Sequence, residues 1–327
     1  MASSRCATIP RWRSAEISST SILNVDAGNG ESNSSLTVTG TLTNNKTVQA
    51  GNSGGTKLIL GGLVNPSGKN FTFTLGTLSF TGGPLAFTQN GGAFALDRIK
   101  VQAPLAHSFT NEANGVFTLR NNTTLEVGGD FLNENILNVD AGNGESNSSL
   151  TVTGTLTNNK TVQAGNSGGT KLILGGLVNP SGKNFTFTLG TLSFTGGPLA
   201  FTQNGGAFAL DRIKVQAPLA HSFTNEASGV FTLRNNTTLE VGGDFLNENI
   251  LNVDAGNGES NSSLTVTGTL TNNKTVQAGN SGGTKLILGG LVNANGANFN
   301  VNATQVLING SVTNGTTPTA GEYHSSG

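Results

Sequence analysis

Apolar side chains recur along this chain in short alternating runs that break at fixed places. In Leu36 to Asn44, LTVTGTLTN, the apolar Leu36, Val38 and Leu42 face one way while Thr37 and Thr39 face the other. Gly40 interrupts the alternation, as expected where a strand turns a corner. Asn44 closes the run, and Asn both tolerates left-handed backbone and bonds to the backbone beside it. The run returns unchanged at Leu150 to Asn158 and Leu264 to Asn272, with looser relatives at Leu58 to Asn65, Leu125 to Asn133 and Leu307 to Asn314. Such a unit cannot bury its apolar face alone, so stacked neighbours must share one core.

This pattern predicts an all-β fold, a single-stranded parallel β-helix (β-solenoid) with three-sided coils of about 21–25 residues. Coils begin at Ile136, Thr161, Asn184, Phe208 and Gly229. Each has an opening strand with an inward pair, such as Leu137 and Val139 or Phe231 and Leu233. A middle strand follows, such as Leu150 and Val152 or Leu239 and Val241, and then a short third side with one inward residue, such as Leu156 or Phe245. Loops of unequal length on a constant strand frame, such as Asp140 to Ser149, favour a right-handed winding over the strict hexapeptide of the left-handed form. The Asn closing each coil predicts a ladder of stacked amides: Asn44, Asn65, Asn90, Asn111, Asn133, Asn158, Asn179, Asn204, Asn225, Asn247, Asn272 and Asn293.

The coils are themselves repeated. Residues 22–135 and 136–249 match at 113 of 114 positions, Asn114 against Ser228 being the difference, and 250–293 match 22–65 throughout. We therefore expect a leader at 1–21 outside the coils and disordered, a solenoid at 22–315 whose last coils, 294–315, diverge, and a polar tail at 316–327. Ser19 stands where the later copies have Asn133 and Asn247, which is expected of a truncated array, a fragment of a larger repeat protein.

Composition narrows the chemistry. Charged residues make up 11% of the chain, and each block carries seven acidic and six basic side chains, so we expect no basic stripe and no nucleic-acid partner. Cys6 is the only cysteine, which excludes an intrachain disulfide or a thiolate metal site. Arg5, Arg11 and Arg13 precede no apolar run of signal-peptide length, and no stretch is long enough to span a membrane.

Repeated LxVxGxLxN strands with Asn corners, nearly no Cys and a Gly/Asn/Thr/Ser bias resemble the β-helical stalk and passenger repeats of bacterial surface proteins, both filamentous-haemagglutinin-like and autotransporter-like adhesins. The resemblance covers Ile22 to Asn314. It implies an extracellular or cell-surface location, a non-enzymatic structural or adhesive rod, and multivalent contact with a host-cell surface, matrix or glycan.

Three other functions can be weighed on particular residues. A polysaccharide-cleaving lyase or hydrolase on the same frame would need acid–base residues, and the one mixed cluster is Asp97, Arg98, Lys100 and His107, repeated at Asp211, Arg212, Lys214 and His221. No second carboxylate pair accompanies it, so a solvated face is expected. The Asp26 to Ser32 segment DAGNGES, repeated from Asp140 and from Asp254, offers oxygens for calcium but falls short of the usual six to eight ligands, so a protruding turn is expected. Ice binding would need threonine on coil after coil. One outward column reads Thr151, Ile173, Ser193, Lys214, Glu240 and another reads Asn138, Gln163, Thr186, Ala209, Thr232, and neither is a threonine array. Trp12 and Tyr323 are the only Trp and Tyr and lie outside the repeats, so stacking on sugars has no platform. No catalytic, cofactor-binding or metal residue is assigned, and no cofactor is expected.

Overall fold

The computed structural model describes residues 12–14, 16–28, 33–51, 55–66, 68–81, 87–89, 92–105, 108–165, 169–180, 182–195, 201–203, 206–219, 222–280, 282–302, 304–315 and 323–326. Among them every regular element is a strand. The chain divides into two compact units, Met1–Ile173 and Leu174–Gly327. Each is a β-solenoid of parallel strands, and the two together hold about 11 turns.

Burial follows the alternation. In the strand Ser149–Asn158, Leu150, Val152, Leu156 and Asn158 are buried, and the alternation breaks at Thr153, Gly154 and Thr155. One continuous strand therefore carries the middle side, the corner and the third side. Corner glycines are sterically required: at Gly61 a β-carbon would collide with the carbonyl oxygen of Thr39 in the turn before it. The predicted inward pairs are inside, with Leu137, Val139, Val162, Phe185, Phe187, Phe231 and Leu233 at 0% exposure. Inward phenylalanines also stack from turn to turn in the second unit, where Phe185 to Phe208 and Phe208 to Phe231 have ring centroids 4.8 and 4.7 Å apart.

Two stretches expected outside the solenoid join it. Ahead of Ile22, Trp12–Ser14 pairs in parallel with Leu36–Val38, and Ile17–Ser19 pairs with Leu42–Asn44. Residues 12–14 and 17–19 of the leader thus supply strands to a turn, and Ile17 and Ser19 repeat the spacing that ends later coils. In the polar tail, Tyr323–Ser326 pairs in parallel with Phe299–Asn302.

The amide ladder forms within each unit. In the first unit Asn44 donates to Asn65 at 2.6 Å, Asn111 to Asn133 at 2.8 Å and Asn133 to Asn158 at 2.9 Å. In the second unit the chain of amides runs from Asn225 through Asn247, Asn272 and Asn293 to Asn314, at 2.7 to 3.0 Å. Asn314 thus extends the predicted series. The amide nitrogens also reach backbone carbonyls, as Asn133 does with Asn135 and Thr161, so these buried donors are satisfied, whereas the Oδ1 atoms of Asn111 and Asn225 are buried without a partner among the described residues. Two predicted rungs are displaced. Gln89 stands opposite both Asn65 and Asn111, and Gln203 opposite both Asn179 and Asn225, whereas Asn90 and Asn204 lie outside the described residues.

Candidate binding surface

Polar side chains divide into those the fold consumes and those it leaves outside. Asp140, the first residue of a DAGNGES segment, is fully buried with φ at 50°. Its carboxylate accepts four hydrogen bonds, from the Asn121 amide at 3.0 Å, the Ser148 amide at 2.6 Å, and the Ser148 and Thr170 hydroxyls, each at 2.8 Å. Asp254 repeats this set with Asn235, Ser262 and Thr284. Asp26 does so in part, with Ser34 and Thr56. Glu145 folds back onto the Gly142 amide at 2.8 Å. The loop's best oxygens therefore clamp one turn to the next, and no group of three or more metal-ligating side chains occurs among the described residues.

Three outward sides remain. On the opening side, Asp211 stands between Thr188 and Arg234, and its Oδ2 lies 3.7 Å from the Arg234 Nε. The predicted acid–base cluster thus contributes an ion pair to the next turn's arginine. Arg98, Lys100, Arg212 and Lys214 are described only by their backbone, and His107 and His221 lie outside the described residues. The third side presents an uncharged column, Ser18, Thr43, Val64, Thr88, Thr110, Leu132 and Thr157 in the first unit. The second unit repeats it as Val178, Thr202, Thr224, Leu246, Thr271, Val292 and Thr313.

The middle side differs. By backbone register, one of its columns runs Ser35, Lys57, Thr77, Lys100, Thr124, Ser149 in the first unit, and Lys171 extends it, its amide bonding to the Ser148 carbonyl at 2.9 Å. In the second unit the same column runs Thr191, Lys214, Thr238, Ser263, Lys285, Gln305. The neighbouring column carries Arg13, Thr37, Ile59, Ser79, Gln102, Glu126 and Thr151, then Ser193, Gln216, Glu240, Thr265, Ile287 and Leu307 in the second unit. One expectation is corrected here. Lys214 does not stand between Ser193 and Glu240; Gln216 does, because Gly206–Leu219 keeps one register along Lys183–Phe194 that sets Lys214 opposite Thr191, and an offset of two residues leaves the alternation of faces unchanged. The other predicted column, Thr186, Ala209 and Thr232, holds.

On this side of the first unit lies a shallow groove of about 560 Å³, lined by Thr124, Glu126, Asn147, Ser149, Thr151, Gly169, Lys171 and Ile173. Asn147 forms one wall by packing against Gly169, where any side chain would collide with its amide oxygen. The second unit carries the same residues in the same register, from Thr238 and Glu240 to Lys285 and Ile287. Hydroxyls, one carboxylate, one ammonium and one aliphatic side chain suit hydrogen bonding to a polar ligand lying across the strands.

In comparisons with known proteins, no family model, curated protein or solved structure matches this chain.

Proposed function

We propose that this chain is a non-enzymatic structural or adhesive repeat protein of the cell surface or extracellular space, engaging a host-cell or matrix surface or glycan through many equivalent weak contacts. The observation that supports this most is the division of polar groups. The buried carboxylates and amides are spent on joining turns, whereas the outward polar positions of the middle side recur in both units. A recurring surface suits avidity, in which linked weak sites bind far more tightly than one.

The reading is tested by deleting residues 136–249, which joins Asn135 to Ile250 in a sequence context the chain already contains. Attachment to immobilised matrix or cell surfaces should fall through lost avidity, while the affinity of one site for a soluble ligand stays the same. Loss of single-site affinity would show that the blocks do not act independently. Release of reducing ends or unsaturated products from plant or bacterial polysaccharides, abolished by Asp211→Ala, would replace this reading with the polysaccharide-cleaving one.

A further inference from the structure

We infer that the lysine-bearing column of the middle side is a binding track for a linear carboxylated polysaccharide, a polyuronate. The inference rests on the adhesive reading and names its partner class.

Lys57, Lys171 and Lys285 are exposed, and Lys100 and Lys214 hold the same register position. The positions between them in the column are Ser or Thr. Within each unit, lysines therefore recur at this register position every two or three turns, at a rise of about 4.8 Å per turn, with Ser or Thr at the positions between them. The remaining lysines, such as Lys46, Lys160 and Lys274, follow the ladder asparagines at a different corner. Most acidic residues are placed elsewhere: Glu112, Asp130 and Glu134 flank the third side and Asp140 is buried, while Glu126 and Glu240 stand in the column beside the lysines. A chain of net charge −1 thus presents one side on which cations outnumber carboxylates.

The spacing selects among polyanions. Duplex DNA carries a charge about every 1.7 Å along its axis and rewards dense arginine and lysine. Here the cations are sparse, Glu126 and Glu240 stand beside the track, and the outward columns of the middle side contain no aromatic residue on which a base might stack. A polysaccharide with one carboxylate per sugar carries charge far less densely than a duplex and tolerates sparse cations, with hydroxyls to bond at the Ser and Thr positions and at the groove wall of Asn147.

The experiment titrates the full chain with polygalacturonate, a neutral β-1,4-glucan and duplex DNA at two salt concentrations. It compares the triple variant Lys57→Gln, Lys171→Gln, Lys285→Gln with the charge-matched Lys46→Gln, Lys160→Gln, Lys274→Gln. Polygalacturonate should bind the parent in a salt-dependent manner. It should bind the first variant roughly tenfold or more weakly, with a shallower salt slope, and bind the second like the parent. Equal losses in both variants would reduce the effect to net charge and overturn the inference. Tighter binding of DNA than of polygalacturonate at the same salt, or no binding of polygalacturonate at the lower salt, would overturn it too. In each of these cases attachment of the parent chain to matrix or cell surfaces leaves the adhesive reading standing. Binding through the column without attachment to any surface would retain the track and remove the adhesive reading.

Discussion

Thr170 and Lys171 are neighbours in sequence and opposites in role. Thr170 is fully buried and gives its hydroxyl to Asp140, thirty residues away, while Lys171 projects outward beside the groove. Alternation along one strand thus separates a polar residue that builds the solenoid from one that is free to serve it. The lesson is that polarity alone does not mark function in this chain. DAGNGES, the most ligand-like segment by composition, belongs to the first kind, and the plain TKLIL strand displays the second.

The comparison can be broken in several places. Its largest effect is expected at the core: Leu156→Asp puts a charge at a site of 0% exposure without a partner, which costs several kcal/mol and should abolish cooperative unfolding of its unit, seen by circular dichroism. Thr157→Asp, one residue on and outward, should leave the melting curve almost unchanged. Equal damage from both would mean the register is wrong.

Asp140→Asn comes next. The substitution replaces one of two accepting oxygens by an NH₂ that must face donors from Ser148, Thr170 or Asn121, at a cost of about 2–3 kcal/mol by chemical denaturation. Asn133→Ala removes the donor to Asn158, Asn135 and Thr161 and the acceptor of the Asn111 amide, and should cost about 2 kcal/mol. The smallest effect belongs to the single difference between the blocks. Asn114 and Ser228 both hold positive φ, 73° and 80°, in a turn closed by the following glycine. Asn tolerates that region better than Ser, so Ser228→Asn should stabilise by about 0.5 kcal/mol in the same assay.

Much of this architecture is legible in the sequence because period-two alternation and the Asn spacing are local. Leu150, Val152 and Leu156 declare their inward face, and Asn44, Asn133 and Asn272 declare the corner. The lateral register is harder to read. A slip of two residues leaves inward side chains inward, so nothing in the alternation distinguishes Lys214 opposite Ser193 from Lys214 opposite Thr191. That ambiguity concealed the lysine column. A usable clue was present: Lys57, Lys100, Lys171, Lys214 and Lys285 each stand immediately before the inward Leu or Val that opens the middle side. The role of Asp140 was not legible, because its four donors come from three separate parts of the chain.

The division between building and binding residues is tested most directly by the rise in unfolding midpoint that saturating polygalacturonate produces, measured side by side for the parent chain, Asp140→Asn and the Lys57, Lys171, Lys285→Gln variant. Asp140→Asn should start from a lower midpoint and show the parent's full rise. The lysine variant should start from the parent's midpoint and show little or none. A lysine variant that melts as early as Asp140→Asn, or an Asp140→Asn chain that is folded but no longer stabilised by the ligand, would contradict the division.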